Sequence, residues 1–581
     1  MNYKKAYIAD SSNTNFKNVM DPLIKRILCA RGIRDDQALN TSFSSMTDPY
    51  EMKDMRTAVE LLAKALAEKQ RVLIVGDYDV DGATAAALIC RALRAMGALD
   101  VDFIVPNRFD YGYGLSPEIA EVVMTQSPDV VITVDNGISS IEGVAFLKDR
   151  GVTVIITDHH LPGDELPGAD AILNPNQAEC GFSSKALAGV GVAFYLMLGL
   201  RRELRLLRWF QENGIHEPKL EQYLDLVALG TVADLVPLDH LNRILVVNGL
   251  KLIQSECGNP GIRALFEVSG KDIRRAVSQD MGFAIGPRIN AAGRLDDISE
   301  GILCLLAENY AEARGHALNL HHINQERREI QQQMTDEAHQ ALSAVQMDSK
   351  QDLPWGICCY EQSWHQGIVG LVASKVKESL HRPTVAFAPA NADAPDNNEL
   401  KGSARSVAKL HIRDLLAEIA TENPSLIKKF GGHAMAAGLS ISASQYDHFS
   451  DVFDVYVRKH LNAEDLEQVH WTDGELEPEH FNMKTAEKIA DLLPWGQGIP
   501  EPVFSGDFVV ENYRWLKNKH LKLVLQGPDS EPLQAIWFNA EPISDLAEGS
   551  MIGLLFRLEI NDYRGQRNLQ LNVVNETHHA V

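Results

Sequence analysis

The stretch RVLIVGDYDVDG (71–82) decides the fold of this 581-residue chain, because an apolar run ends there in acids and glycine. A helix-like stretch (83–98) follows, and VDFIVPN (101–107), PDVVITVDNG (128–137) and GVTVIITDHH (151–160) repeat the strand pattern. Apolar strands that alternate with helices are typical of a parallel α/β sheet. In such sheets, ligands bind where the carboxyl ends of the strands meet.

Three acids, Asp77, Asp79 and Asp81, follow the first strand at two-residue spacing. Such carboxylates repel one another unless a cation neutralises them, and oxygen ligands suit Mg²⁺ and Mn²⁺. An acidic turn or a helix N-cap is the alternative interpretation. Further acids and histidines follow later apolar segments, namely Asp135, Asp158, His159, His160 and Asp234. Because three strand ends carry such residues, we expect a metal site, although an N-cap role for Asp234 stays open.

The rest of the chain divides into segments that differ in their pattern of apolar and polar residues. We expect a mostly solvated helix over 308–347 that links two globular lobes, and a second α/β segment after it. Five short strand-like runs after residue 466 suit a β-barrel of the OB type, with a small β-sandwich as the alternative. The predicted parts are an N-terminal helical segment (1–70), a parallel-sheet α/β domain (71–305), a connecting helix (306–348), a second α/β domain (349–465) and an OB-like barrel (466–581).

The composition is that of a globular protein, with 45% apolar and 23% charged residues. Lys and Arg number 55 against 79 Asp and Glu, so the net charge is −24, which argues against a non-specific polyanion binder. Two local tracks, 401–413 and 513–523, each contain four Lys or Arg and no acid. In the second, Tyr513 and Trp515 interleave with the cations, which favours single-strand binding as much as it favours a solvated hairpin edge.

The cysteines and the apolar runs indicate in which cellular compartment the protein is expected. Seven cysteines form no CxxC pair, so neither a disulfide framework nor a zinc site is predicted. The first fifteen residues lack a signal-peptide core. The longest apolar run, 186–200, is shorter than the ~20 residues that span a bilayer. We therefore expect a soluble cytoplasmic protein that does not bind a membrane.

Four ordered motifs resemble the DHH phosphoesterase superfamily: DYDVDG (77–82), VDNG (134–137), TDHH (157–160) and TVAD (231–234). Three downstream segments are similar to its branch of single-strand exonucleases, which carry a DHH-associated domain and an OB fold. These segments are GPRINAAGRL (286–295), KGSARS (401–406) and FGGHAMAAG (430–438). The resemblance covers nearly the whole chain and implies 5′→3′ hydrolysis of single-stranded DNA to 5′-mononucleotides, in DNA repair and recombination.

The resemblance also implies roles for individual residues. Asp77, Asp79 and Asp135 would hold one divalent cation, and Asp81, Asp135, His159 and Asp234 the other, with Mn²⁺ or Mg²⁺ as the pair. Two such ions clamp the attacking and leaving oxygens of an in-line displacement. His160 would contact the scissile phosphate, and Asp158 is the further catalytic candidate of the DHH triplet.

Substrate contacts are expected from loops rich in arginine and glycine. A guanidinium binds phosphate through two hydrogen bonds, although a solvated surface charge is the alternative for each arginine. Ser403 and Arg405 are the candidates for a 5′-phosphate pocket, and Tyr111 and Tyr113 either stack on bases or pack their loop. The predicted substrate-binding residues are Arg108, Tyr113, Arg288, Asn290, Arg294, Ser403, Arg405 and His433. For His433 a structural role in a glycine turn is the alternative, and His321 and His322 are expected to face solvent.

Two other functions stay open. A DHH phosphodiesterase for short oligonucleotides or cyclic dinucleotides would need neither the barrel nor the long helix. A non-catalytic DHH scaffold would have lost metal ligands, whereas this sequence keeps all of them. A monomer that works with a helicase or a single-strand-binding protein is the expected assembly.

Overall fold

The structure is a computed structural model, which describes residues 14–106, 114–349, 353–390, 398–517, 519–528, 531–540, 543, 546–563 and 566–577. These residues fall into two compact units. The larger contains the residues up to 324 and those from 471 onward, and the smaller contains residues 325–470. Each unit is described by itself below.

A five-stranded parallel sheet forms the centre of the larger unit. Its strands are β1 (Val72–Gly76), β2 (Val101–Ile104), β3 (Val130–Val134), β4 (Thr153–Thr157) and β5 (Ala171–Leu173), in the order β2-β1-β3-β4-β5. Every residue of β1 and β3 is buried, which explains their unbroken apolar runs. The strand order reverses between β1 and β3, and such a switch point is where doubly wound sheets bind ligands.

Helices cover both faces of this sheet. The helix after β1 begins at Val80 rather than at residue 83, because Asp79 caps it. The helices of the larger unit before the long one are α1 (Pro22–Ala30), α2 (Met55–Ala67), α3 (Val80–Ala95), α4 (Pro117–Met124), α5 (Ile141–Lys148), α6 (Gly189–Leu206), α7 (Leu224–Ala233), α8 (His240–Gln254), α9 (Pro260–Ser269), α10 (Gly286–Leu295) and α11 (Ser299–Leu306), with single turns at Trp209–Glu212 and Ser278–Asp280.

The longest apolar run of the sequence forms most of α6, and twelve of its residues are buried inside the larger unit. No helix in the described part of the chain is long and apolar enough to cross a membrane.

The predicted connecting helix is α12 (Tyr310–Ser349). It begins four residues later than expected, because α11 ends at Leu306 and the backbone turns before Tyr310. A few small or apolar side chains along it are buried, among them Ala313, Ala317 and Leu320, which pack against the core of the larger unit. The division between the two units falls within this helix.

A mixed sheet forms the core of the smaller unit, in the order β6-β7-β8-β10-β9. Its strands are β6 (Ile357–Tyr360), β7 (Thr384–Pro389), β8 (Glu399–Arg405), β9 (Lys429–Gly432) and β10 (Ala436–Ser442), and its helices are α13 (Val369–Leu380), α14 (Ile412–Glu422) and α15 (Tyr446–His460). Buried Phe387, Phe449 and Phe453 fill the space between sheet and helices. The sequence therefore predicted this second α/β segment correctly.

The C-terminal strands close into a barrel, in the order β11-β12-β13-β15-β14. They are β11 (Phe504–Leu516), β12 (His520–Gln526), β13 (Pro532–Phe538), β14 (Met551–Tyr563) and β15 (Gln566–Glu576), and α16 (Met483–Ala490) precedes them. A closed five-stranded barrel confirms the OB prediction and excludes the sandwich. Its interior is continuous with the core of the parallel-sheet region.

Two segments that we expected to be loops are regular structure. GPRINAAGRL forms helix α10, with Pro287 near its first turn, where a missing N–H costs no hydrogen bond. KGSARS lies in strand β8, where side chains alternate between a buried and a half-buried face. Flanking glycines suggested loops, but these glycines instead allow close packing between elements.

Candidate metal centre and substrate-binding residues

The carboxyl ends of β1, β3 and β4 bring the predicted metal ligands together in the larger unit. One ligand atom from each of Asp77, Asp79 and Asp135 lies within 4.8 Å of the others. The same spacing holds within the set Asp81, His159 and Asp234. The first triad is identical to the first ligand set that the resemblance implies. The second triad contains three of the four ligands of the second set and lacks only Asp135, the ligand that both sets share.

Asp135 belongs to the first triad and also approaches the histidines that follow β4. Its Oδ1 atom is 3.1 Å from Nε2 of His159 and 3.9 Å from Nδ1 of His160. Its backbone adopts a φ of 59°, which non-glycine residues rarely adopt and which recurs at functional sites. The backbone strain therefore falls on the residue that would bridge two cations.

Asp79 and Asp81 are held by backbone N–H groups. Oδ1 of Asp79 accepts hydrogen bonds from the N–H groups of Asp81 and Gly82 and so caps α3. Asp81 is fully buried, and its two oxygens accept hydrogen bonds from the N–H groups of Gly189 (2.6 Å) and Val190 (2.8 Å) at the start of α6. The helix N-cap and the metal-ligand interpretations are therefore compatible for Asp79, because each carboxylate has several acceptor sites.

Asp234 follows the last residue of α7 and occupies its C-terminal cap. The N-cap alternative for this residue is therefore wrong. Its Oδ2 atom lies 3.4 Å from Nε2 of His159. Both atoms are buried and form no hydrogen bond within the described part of the chain, which is costly unless another ligand engages them.

The electrostatics of the cluster favour a cation. Burial, followed by the charge of Asp79, raises the pKa of Asp81 to about 7. Burial and the charges of neighbouring acids raise the pKa of Asp234 to about 10 and that of Asp135 well above its usual range. Burial lowers the pKa of His159 to about 4, so its imidazole is neutral and Nε2 can act as a ligand. Crowded carboxylates beside a neutral imidazole fit divalent ions such as Mn²⁺ and Mg²⁺.

Asp158 does not point into the two triads but orients the histidines. Its Oδ1 atom lies 2.7 Å from Nδ1 of His160 and accepts the N–H groups of His159 (2.7 Å) and His160 (3.1 Å). Oδ2 accepts the N–H group of Ile138. Burial opposes the charged form of His160, but the hydrogen bond and charge of Asp158 outweigh it and raise the pKa of His160. Asp158 is therefore placed to act through His160.

Sequence reasoning missed the glycines that surround the centre. A Cβ at Gly189 would lie 2.8 Å from Cβ of Asp135. A Cβ at Gly230 would lie 3.0 Å from Oδ1 of Asp81 and would also collide with Thr84. The only signal in the sequence was that each glycine lies inside an apolar helical run. Such a glycine is equally typical of close packing between helices.

The three predicted substrate residues on α10 have different surroundings. Oδ1 of Asn290 accepts the N–H group of Val80, in the turn between Asp79 and Asp81. Arg288 is 7% exposed, and its guanidinium donates to the carbonyl of Ala284, while its Nε lies 3.2 Å from Nδ1 of His321. His321 thus contacts Arg288 rather than facing solvent. Arg294 lies half-buried in the last turn of the helix.

Ser403 and Arg405 lie on the same face of β8 in the smaller unit. Nη1 of Arg405 donates to Oγ of Ser403 (2.9 Å), and its Nε donates to Oγ of Ser374 on α13 (3.2 Å). A Cβ at Gly370 would lie 2.9 Å from Nη2 of Arg405, so a larger residue there would shift the guanidinium. Ser374 and Gly370 were not predicted, because α13 offers no motif that points to β8.

The motif FGGHAMAAG forms the hairpin of β9 and β10. Across the sheet, Gly438 pairs with Ser403 on one side and with Gly431 on the other. A Cβ at Gly438 or at Gly431 would meet no atom within 4 Å, so this surface is open to a ligand backbone. His433, in the hairpin turn, donates its N–H group to the carbonyl of Ala436.

Two of the four cations of the barrel track lie on the opposite face of the strands from its aromatic side chains. Tyr513 and Trp515 pair with the buried residues Leu523 and Leu521, whereas Arg514 pairs with Lys522. Directly opposed residues project to the same face and neighbours along a strand project to opposite faces. The pleat therefore separates Tyr513 and Trp515 from Arg514 and Lys522, and Trp515 packs against the core.

The remaining predicted substrate residues, Arg108, Tyr111 and Tyr113, lie outside the described residues, as does most of the polar stretch 389–400.

A doubly wound sheet with acids after β1 and β3, and a DHH triplet after β4, defines the class of protein, a DHH phosphoesterase. The family models agree with this class. Residues 71–231 match the DHH family N-terminal domain, residues 355–459 the DHHA1 domain, and residues 472–575 the RecJ OB domain.

Known proteins narrow the class to one family. The single-stranded-DNA-specific exonuclease RecJ of Dickeya dadantii is 46% identical over 97% of this chain and 97% of its own length. The protein of the same name from Escherichia coli is 45% identical over 96% of both chains. A crystal structure of RecJ from Thermus thermophilus in complex with Mn²⁺ superposes with a TM-score of 0.77 at 27% identity, over 96% of this chain and 76% of that one. The chain belongs to the RecJ family.

Proposed function

We propose that this protein is a metal-dependent exonuclease that hydrolyses single-stranded DNA in the 5′→3′ direction and releases 5′-mononucleotides in DNA repair and recombination. The observation that carries the proposal is the convergence of five carboxylates and the neutral Nε2 of His159 at the switch point of the sheet. Full-length relatives named as single-stranded-DNA-specific exonucleases support the same substrate.

Two divalent cations, Mn²⁺ or Mg²⁺, are the cofactors, and when bound they supply Lewis acidity and an activated water at neutral pH. Asp77 and Asp79 would hold one ion, and Asp81, His159 and Asp234 the other. Asp135 would be shared. The N-terminus of α6 fixes Asp81 through two hydrogen bonds, which orients this ligand before any ion arrives.

His160 would act on the scissile phosphate. Asp158 engages Nδ1, so Nε2 of His160 is the atom that would donate to a phosphate oxygen. The raised pKa means that His160 keeps its proton to a higher pH than an ordinary histidine, which suits a group that stabilises negative charge in the transition state. In the hydrolysis, water adds to phosphorus, the bond to the leaving 3′-oxygen breaks, and that oxygen gains a proton.

Ser403 and Arg405 would bind the terminal 5′ phosphate. The fixed guanidinium and the open row of Gly438 and Gly431 beside it favour close approach of a phosphate. His433, Arg294 and Arg108 stay predictions for further substrate contacts. Tyr113, Arg288 and Asn290 also stay predictions for substrate contacts, and Oδ1 of Asn290 accepts the N–H group of Val80 between two candidate metal ligands.

Digestion of strands labelled at the 5′ or at the 3′ end tests this proposal. With Mn²⁺ or Mg²⁺ we expect the 5′ label to be released first as a mononucleotide, and EDTA to stop the reaction. Initial release of the 3′ label would refute the polarity. Accumulation of short intermediates with little attack on long strands would instead favour the short-oligonucleotide phosphodiesterase. A monomeric state, a cytoplasmic location and partnership with a helicase or a single-strand-binding protein stay predictions.

A further inference from the structure

Phe283 is the most exposed large hydrophobic side chain in the described part of the protein, at 78%. It lies in the middle of a π-helical turn, Met281–Ile285, directly before α10. Isolated π-helical turns are rare and occur frequently at functional sites. A phenyl ring with this exposure contributes little to the core, so folding alone does not explain its position.

This turn packs against the end of the helix that supplies Asp234. A Cβ at Gly282 would lie 3.5 Å from Cγ1 of Val232, and a Cβ at Gly286 would lie 3.3 Å from Cβ of Ala233. Val232 and Ala233 directly precede Asp234, so the turn lies beside the metal centre.

A second exposed apolar side chain follows the end of the same helix. Leu235 follows Asp234, is 65% exposed and has a φ of 61°. Exposed leucine in the left-handed region is doubly unfavourable, since Gly, Asn or Asp would adopt this backbone more readily. An exposed apolar side chain on such a backbone, next to a candidate ligand, points to a role outside the folding of the chain.

The turn is also rigid. Arg288 donates to the carbonyl of Ala284, the residue after Phe283, and its Nε contacts His321 on α12. A buried guanidinium thus fixes the backbone that presents the phenyl ring. Rigid presentation of an aromatic ring lowers the entropy lost when a flat ligand stacks on it.

We propose that Phe283, bordered by Leu235, is a stacking platform for one nucleobase of the bound strand, close to the scissile phosphate. The inference rests on the proposed function, because it assigns the platform to single-stranded DNA. Aromatic stacking accepts every base, so the platform would hold the strand in place without imposing sequence preference. It would position the phosphate between the two triads.

A cycle that combines the change Phe283→Ala with single abasic nucleotides tests the platform. Oligonucleotides carry one abasic site at successive positions, and single-turnover release of each nucleotide is measured with Mn²⁺. In the unaltered protein we expect release to slow about ten-fold, the equivalent of about 1.4 kcal/mol, when the abasic site reaches the platform. Phe283→Ala should slow release about ten-fold on intact strands. In this variant an abasic site that reaches the platform should cause no further slowing, because the ring on which the base would stack is already missing.

Two variants control for folding and for general loss of apolar surface. Phe283→Trp should keep the rate and the abasic effect, and Phe43→Ala, which removes a phenyl ring that is 44% exposed in the N-terminal segment, should change neither. Unchanged release by Phe283→Ala, or additive effects of the variant and the abasic site at every position, would overturn the platform while leaving the nuclease intact. If the unaltered protein released no nucleotide, the proposed function would fail, and the platform with it.

Discussion

At the scale of single residues, the centre gathers groups that are unfavourable without a ligand. Asp135 has a left-handed backbone and a raised pKa, and Asp81 and Asp234 add like charge around it. Burial makes this repulsion strong. The folded chain therefore gives up stability at this point, and bound cations recover it by mass action.

The change Asp135→Asn should separate activity from stability. Asparagine tolerates the left-handed backbone and removes one buried charge. We expect nuclease activity to fall by at least ~10³-fold, since a shared ligand is lost, whereas the metal-free protein gains about 1 kcal/mol. Thermal unfolding in EDTA measures the gain, with Asp149→Asn on the exposed end of α5 as the control. A lower unfolding temperature for Asp135→Asn would contradict the crowding argument.

The change Gly189→Ala should weaken metal binding. The new Cβ would lie 2.8–3.0 Å from the side chain of Asp135, so the carboxylate must move. We expect Mn²⁺ affinity by calorimetry to fall by about 10-fold or more, as for other residues that orient ligands. Gly315→Ala on α12 is the matched control, because no atom lies within 4 Å of its new methyl group. Equal Mn²⁺ affinity for the two variants would contradict the prediction.

Glu501 predicts a pH dependence of stability away from the centre. Burial, followed by the charge of Glu559, raises the pKa of Glu501 from 4.5 to about 7. The pKa of Glu501 is higher in the folded than in the unfolded protein. Its protonated carboxyl therefore contributes to stability fully below pH 4.5, and this contribution is lost as pH rises through 7. Glu501→Gln should therefore stabilise the protein by about 3 kcal/mol at pH 8 and should have little effect on stability below pH 4.5.

Urea unfolding at several pH values measures this difference. Glu511→Gln, an exposed glutamate on β11, is the control and should leave the pH profile unchanged. A stabilisation by Glu501→Gln that did not vary with pH would point to packing rather than to charge.

At the scale of secondary-structure elements, a buried ion pair joins the two ends of the chain. Arg31, at the end of α1, forms two hydrogen bonds to Asp473, and their side chains are 4% and 9% exposed. Arg31 also donates to the carbonyl of Pro500, and Oδ2 of Asp473 accepts the N–H group of Val503. The N-terminal helix thereby fixes the segment that leads into the barrel.

Asp473→Asn should test this connection. It leaves a buried arginine without its counter-charge, so we expect a loss of about 3–5 kcal/mol in unfolding free energy. Glu267→Gln, which breaks the exposed pair with Arg314, is the control and should cost less than about 1 kcal/mol. Chemical denaturation compares the two. Equal costs would show that the buried pair contributes no more than a surface pair.

At the scale of the whole molecule, the protein has a net charge of −24, although we propose that it binds a polyanion. The five candidate ligand acids are too few to account for this excess, so most of the acids lie elsewhere. We therefore expect strand binding to depend on local cations, and Arg514 and Lys522 on the barrel are candidates. A narrow basic path on an otherwise acidic protein would favour a single strand over a duplex.

The salt dependence of strand binding measures this path. Lys522→Gln should reduce the slope of log affinity against log salt by about 0.7, the value for one lost phosphate contact. Lys64→Gln, on the exposed face of α2, should leave the slope unchanged. Equal reductions would show that the whole charge of the molecule, and not a path, governs binding.

The sequence by itself determined the parallel sheet, the second α/β segment, the barrel and the acids and histidines of the centre. These features follow from local pattern, because apolar runs and the polar residues that end them are contiguous in the chain. The tertiary structure alone decided contacts between distant segments, such as the hydrogen bonds from α6 to Asp81 and the support of Arg405 by Ser374. It also separated Tyr513 and Trp515 from Arg514 and Lys522, because the strand pairing sets which face each side chain occupies.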